Sequence, residues 1–323
     1  MTQILSLIQS AIIFGTVIMF GALGEILTEK SGNLNLGVPG IMSLGAIGSL
    51  MGAFWYEQSA AAPVPVLCLL VSFAAAMLFS LAGGLIYSFI TITLRANQNV
   101  TGLTLTIFGC GFANFFGGSL NKLAGGVGQI SLPITSKAYR AVIPFLSNIP
   151  IIKNIGWLVY AGIILAFVLQ RWMFKSRAGL NLRAVGENPA TADAAGINVI
   201  KYKYFSTCAG AMISGLGGLF YIMDYIKGTW ASDGGIEALG WLAVALVIFA
   251  TWRPRSAIWG SYLFGLLSWM YYYIGGLTRS TSELFKTLPY VVTIAVLIFV
   301  SLRRKKENLG PSALGLSYFR EER

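Results

Sequence analysis

Apolar runs as long as a bilayer is thick recur along this 323-residue chain, with short polar connectors between them. A helix rising about 1.5 Å per residue needs about 20 mostly apolar residues to cross the hydrocarbon layer. Nine stretches are candidates: Gln3–Leu27, Leu34–Tyr56, Pro63–Leu94, Asn99–Gly118, Ile155–Phe174, Tyr204–Ile226, Leu239–Trp252, Ala257–Gly276 and Leu288–Leu302. A spanning segment must satisfy its backbone within itself, so such a chain folds as a bundle of helices. The expected class is an all-α polytopic membrane protein with about nine transmembrane helices (range about 8 to 10). Leu34–Tyr56 is rich in Gly and contains Pro39, which predicts a broken or re-entrant span. Leu239–Trp252 is short, so it either begins earlier or crosses only in part. Composition agrees: 11% of residues are charged, against about 25% in a soluble domain. The mean hydropathy is +0.71, and the 38 glycines suit helices that pack closely in lipid.

A net charge of +11 raises the question of nucleic acid. The basic residues instead fall between apolar stretches and at the C-terminus, not on one soluble face, so they orient the chain and no nucleic-acid partner is expected. The cluster Arg303-Arg304-Lys305-Lys306 belongs on the cytoplasmic side, as does the tail 303–323. Counting back through nine spans puts the N-terminus outside. Of the 23 Lys and Arg, seven then fall outside: Lys122, Lys137, Arg140, Lys153, Lys227, Arg279 and Lys286. Four of the seven lie in or beside the long external segment 119–154, where the rule is weakest. That segment, with Pro133, Pro144 and Pro150, reads as one or two interfacial helices, either a plain connection or a docking surface. The whole chain, 1–323, reads as a single transmembrane domain. Its first 20 residues lack a basic leader and a small-residue cleavage site, so they read as a retained span.

Cys68, Cys110 and Cys208 lie in apolar runs with no CxxC spacing, and the chain has no His. They read as small hydrophobes, and no metal site is expected. Aromatic residues near Asp224, namely Tyr221, Tyr225 and Trp230, read as a belt at the headgroups.

One polar island, Ser176–Lys203, breaks the pattern: SRAGLNLRAVGENPATADAAGINVIKYK. Backward counting makes it cytoplasmic. Asn188 supplies a capping side chain and Pro189 a residue preset for the first helical position. Good helix formers follow, and Gly196 supplies a left-handed stop. The spacing predicts a helix of about two turns, roughly 10 Å long, marginal alone in water and needing something to pack on. It is either an ordinary turn between spans or a plug for another protein's groove.

GLNLRAVGENPATADAAGINVIKYKYF resembles the cytoplasmic signature of ABC importer permeases of the branched-chain amino acid and ribose permease superfamily. Gly21–Ser49 and Leu239–Leu267 resemble two further blocks of its nucleoside and simple-sugar branch. The third block departs at Ala250-Thr251, where Gly-Arg or a similar pair is common. The resemblance implies an ABC importer permease fold in a bacterial plasma membrane, with a coupling helix that inserts into a cytoplasmic ATPase. It implies coupling roles for Gly179, Arg183, Ala184, Gly186, Glu187, Asn188, Pro189, Ala192 and Gly196. In that reading Gly179, Gly186 and Gly196 allow turns, and Arg183 and Glu187 either pair at i,i+4 or reach partner charges. It also implies a separate ATP-binding subunit that uses ATP and Mg, a second and unlike permease subunit, and an extracellular substrate-binding lipoprotein. The expected cargo is a nucleoside; a simple sugar or branched-chain amino acid is the alternative, and a secondary transporter or channel the second.

The chain has no GxxxxGK[ST] phosphate loop and no triad, so no catalytic residues and no directly bound cofactor are expected. Polar groups inside apolar spans mark the candidate path, because each costs free energy in lipid. They are Glu25, Asn33, Asn35, Asn97, Asn99 and Asn114. Each has an ordinary reading too: Glu25 as an interfacial carboxylate near Lys30, the amides as bonds between helices.

Overall fold

The computed structural model describes residues 2–126, 129–143, 153, 155–274, 278–303 and 310–319. Among the described residues, six helices have the length and apolar character to cross a bilayer. They are α1 (Thr2–Glu29), α2 (Val38–Ser59), α3 (Pro65–Ser88), α4 (Gln98–Leu123), α6 (Trp157–Lys175) and α9 (Val199–Phe220). α3 and α9 each continue through one π-helical turn, Phe89–Thr93 and Tyr221–Tyr225. The six match the first six apolar runs of the sequence.

The last three runs form shorter helices: α10 (Gly235–Phe249), α11 (Pro254–Trp269) and α13 (Leu288–Arg303). At 15 residues, α10 is about 22 Å long, less than a full crossing. It begins before Leu239, at Gly235, as one of the two readings of this short run expects. α13 is preceded by α12 (Arg279–Lys286), bent 41° from it. The structure therefore supports six spans by length and does not establish the count of nine. The cluster Arg304 to Lys306, Arg320 and Arg323 lie outside the described residues, as do Pro144 and Pro150.

α2 is not broken. Pro39 sits in its first turn, where its missing N–H costs nothing. The irregular stretch is the one before it, residues 30–37, which runs buried between α1 and α2. α2 lies at the centre, packed by α3, α4, α9 and α10, while α1 packs along α9, α10 and α11. Glycine permits the close approaches. A Cβ on Gly24 would lie 2.2 Å from the Gly210 carbonyl, and one on Gly45 would lie 2.4 Å from that of Gly215. In lipid such contacts supply the attraction that hydrophobicity cannot.

At one end of the bundle, α5 (Pro133–Tyr139) comes from the long segment read as external. It is seated on the bundle: Thr135 donates to the Glu57 carboxylate, and the buried Tyr139 hydroxyl donates to the Leu69 carbonyl at 2.9 Å. The expected aromatic belt is corrected here too. Tyr221 and Trp230 are buried, and Trp230 covers Gly117, whose Cβ would fall within the indole. Among the described residues the one strand-like pairing is an isolated bridge, Ser131 with Thr229.

Candidate functional site

The polar island folds into two helices at the opposite end. α7 (Arg177–Glu187) precedes α8 (Pro189–Ala194). The sequence reading anticipated α8 and missed α7. α7 starts where Ser176 Oγ accepts from the Gly179 N–H at 3.0 Å. Asn188 closes α7, its N–H donating to the Ala184 carbonyl at 2.9 Å, and opens α8 with Oδ1 accepting from the Thr191 N–H at 3.0 Å. Gly196, at φ +82, ends that short helix as expected. Asn198 then caps α9 by accepting from the Lys201 N–H at 2.9 Å.

α8 is pinned by one face. Ala192 is buried in a small cluster with Val185 and Val199, with Ile197, Tyr202 and Tyr318 around it. Ala184 and Glu187 on α7, and Asn188, Ala190 and Ala195 beside or on α8, remain exposed. The roles read for two glycines change. Gly179 and Gly186 lie inside α7, not in turns, and both are buried. A Cβ on Gly179 would sit 2.2 Å from the Trp172 carbonyl, and one on Gly186 would sit 2.3 Å from that of Lys30. They seat α7 against α6 and against the buried turn at 30–33. Arg183 and Glu187 do not pair with each other. The Arg183 guanidinium lies 4.6 Å above the Phe174 ring, and Glu187 accepts from the Ser312 hydroxyl at 2.8 Å.

Ser312 belongs to a strap from the C-terminal tail, residues 310–319. The Ala313 N–H donates to the Gly186 carbonyl at 3.0 Å, and the Gly315 N–H donates to the Gly32 carbonyl at 3.1 Å. The Tyr318 hydroxyl donates to Asp193 on α8 at 2.8 Å. The strap thus ties α7, α8 and the 30–33 turn together. Sequence reasoning missed it; Gly310-Pro311 and Gly315 were its available signals. Lys30 is buried beside this junction. Burial holds its amine below the usual lysine range, with Glu187 nearby opposing that shift and Arg183 and Arg253 reinforcing it.

Three of the candidate path residues converge on the 30–37 stretch. Glu25 Oε1 accepts from the Asn35 N–H at 3.1 Å, and Asn35 Oδ1 accepts from the Gly37 N–H at 2.9 Å. Asn33 Nδ2 donates to Thr207 Oγ1 at 2.9 Å. Gln98 accepts from the Leu34 N–H at 2.7 Å, Tyr87 donates to the Leu34 carbonyl, and Thr106 donates to the Leu36 carbonyl at 2.8 Å. Trp252 donates its indole N–H to Glu29. Irregular backbone buried among helices must have such partners. Glu25 and Asn35 are therefore holding backbone, and Gln98, Thr106 and Tyr87 share the task, Tyr87 without having been singled out from sequence. Asn97 and Asn99 stand apart, exposed at the start of α4, where Asn97 caps the helix. Asn114 lies in a separate narrow groove with Ser43, Cys110, Trp230 and Glu237.

Comparison with known proteins adds the following. The family described as branched-chain amino acid transport system / permease component matches residues 7–300. The "Guanosine ABC transporter permease protein NupQ" of Bacillus subtilis is 31% identical, over 99% of this chain and 99% of its own. The "Nucleoside ABC transporter permease protein NupC" of Lactococcus lactis is 31% identical, over 98% and 97%. The "Putative glucose ABC transporter permease protein TsgC13" of Haloferax volcanii is 30% identical, over 98% of each chain.

Proposed function

Because this chain belongs to the permease-component family of branched-chain amino acid transport systems, a family of multi-pass membrane proteins, we propose that it forms the translocation path of an ATP-driven importer for nucleosides. The observation that carries the reading is the α7–α8 module: a capped stub with an exposed face, standing off the bundle yet seated on the buried turn that enters α2. In this reading the stub docks into a cytoplasmic ATP-binding subunit, which consumes ATP and Mg. Docking contacts come from Arg183, Ala184, Glu187, Asn188, Pro189 and the exposed face of α8, with Gly179, Gly186, Ala192 and Gly196 holding the module's shape. The N-terminus and α5 face outside, and α7, α8 and the strap face the cytoplasm. The chain acts as one permease domain from end to end.

A push on α8 passes through Asn188 to α7 and, at Gly186, to the 30–33 turn. That turn is bonded to α1 and α9, and the residues that follow it, Leu34 and Leu36, are bonded to α4, so movement there changes how α2 sits among them. Interiors this closely packed switch between discrete arrangements and do not flex smoothly. Asn33, Gln98 and Asn97 border the cytoplasmic exit, and Asn114 with Glu237 borders a deeper part of the route. A nucleoside is uncharged and is recognised by amides, hydroxyls and aromatic faces. The nucleoside and guanosine names of two relatives support that cargo; the glucose name of the third makes a simple sugar the second reading. The partners are an ATP-binding subunit, a second and unlike permease, and an extracellular binding lipoprotein.

The test is reconstitution in liposomes with those partners. Nucleoside uptake is expected only with ATP, the ATP-binding subunit and the binding protein together. Vigorous uptake by the lone chain without ATP overturns the mechanism. Competition by glucose but not by nucleosides replaces the cargo and leaves the mechanism standing.

A further inference from the structure

A polar cleft of about 530 Å³ opens beside α8, between the end of α3, the start of α4, the start of α9 and the strap. Its walls include Asn33, Arg95, Asp193, Ile200, Lys203 and Tyr318. Two are cationic. Lys203 is 3% exposed, and its ammonium has no hydrogen-bond or ion-pair partner among the described residues. A lysine this deeply buried whose ammonium lacks a partner is costly, and an anion in the cleft removes that cost. Arg95 is positioned for the same task. It occupies the left-handed region at φ +58, its guanidinium lies 4.7 Å over the Phe319 ring, and its carbonyl accepts from Ser317 of the strap. Asp193 lines the same cleft, where its carboxylate accepts from Tyr318. Asn33 adds a buried Oδ1 without a partner, an acceptor suited to a ligand hydroxyl or to the Lys203 ammonium.

The surroundings say where the anion comes from. An exposed apolar ridge descends α3 to the rim of the cleft: Leu85 (46% exposed), Phe89 (53%) and Leu94 (60%). Ile200 on the α9 side is 56% exposed. Fatty chains fit such a ridge in a bilayer, and a soluble anion has no use for it. We propose that this cleft binds the phosphate of an anionic glycerolipid from the leaflet on the α8 side, with Lys203 and Arg95 on the phosphate and Asn33 on a headgroup hydroxyl. The cleft shares Asn33 and Gln98 with the border of the proposed cytoplasmic exit, but its cationic pair is separate from the neutral recognition the cargo needs and from the docking face of α8. It holds whether or not the cargo is a nucleoside.

The test is native mass spectrometry of the purified full chain titrated with phosphatidylglycerol, phosphatidylcholine and glycerol 3-phosphate. Phosphatidylglycerol is expected to bind Lys203→Gln about tenfold more weakly than wild type, the size of one lost charge-assisted bond. Arg95→Gln is expected to follow in the same direction. Lys203→Arg keeps most of the affinity, and the exposed neighbour Lys201→Gln changes nothing. Thermal unfolding of each variant separates loss of the site from loss of the fold, and Arg95→Gln, at an exposed position, keeps the test open if Lys203→Gln fails to fold. Equal retention of phosphatidylcholine, or unchanged phosphatidylglycerol affinity in both Gln variants, overturns the proposal. Glycerol 3-phosphate binding as tightly as the lipid assigns the phosphate to a soluble source and overturns the lipid.

Discussion

Gly186 has no room for any other side chain. Its missing Cβ faces a backbone carbonyl at 2.3 Å, and backbone cannot swing aside. Gly186→Ala is expected to destabilise the protein by about 1–3 kcal/mol, the usual cost of overpacking. The readout is a lower melting temperature in detergent together with reduced ATP-dependent uptake; an unchanged melting temperature contradicts the tight seat. Ala192 carries a different lesson. It is buried among valines, so Ala192→Asp places a charge where only apolar partners wait. The expected outcome is ATP hydrolysis that continues while uptake falls. Coupled transport at the wild-type level in that variant counts against docking through α8. Gly196 differs again: a Cβ there meets open space, but its φ of +82 disfavours any branched residue. This distinction between two glycines of one motif, Gly186 and Gly196, was not readable from their spacing.

Short helices depend on what is tied to their ends. α8 has six residues, too few to hold itself in water. Asn188→Ala removes its cap and is expected to cost about 1 kcal/mol, seen as faster amide exchange over Thr191–Ala195 with the long helices unchanged. The strap contributes separately through Ser312, Ala313, Gly315 and Tyr318. A stop after residue 309 is expected to speed exchange in both α7 and α8 and to lower uptake, with the protein still assembled. Exchange in α7 and α8 as slow as in the full chain shows that the strap is decoration. α8 was legible because cap, proline and stop are neighbours in sequence. The strap was not, because two of its hydrogen bonds, from Ala313 to Gly186 and from Gly315 to Gly32, run backbone to backbone between residues far apart in the chain, and backbone bonding leaves no mark on residue type.

Across the whole molecule, the question left by the short helices is which ends face which side. Cysteines introduced on a cysteine-free background at Ala190, Thr251 and Tyr272 answer it. Ala190 and Thr251 are expected to label from the cytoplasm and Tyr272 from outside, which makes α10 and α11 cross despite their length. Labelling of Ala190 from outside breaks the coupling reading altogether. The sequence alone determined the membrane class, the first six helices and the capped stub, because hydropathy over 20 residues and capping over 10 are local quantities. Only the tertiary structure decided what the buried polar residues are for. Glu25, Asn33 and Asn35 look like path residues when read singly. The folded chain shows that much of their bonding capacity holds an irregular turn inside the bundle, and that demand exists only once α1, α3, α4 and α9 have closed around it.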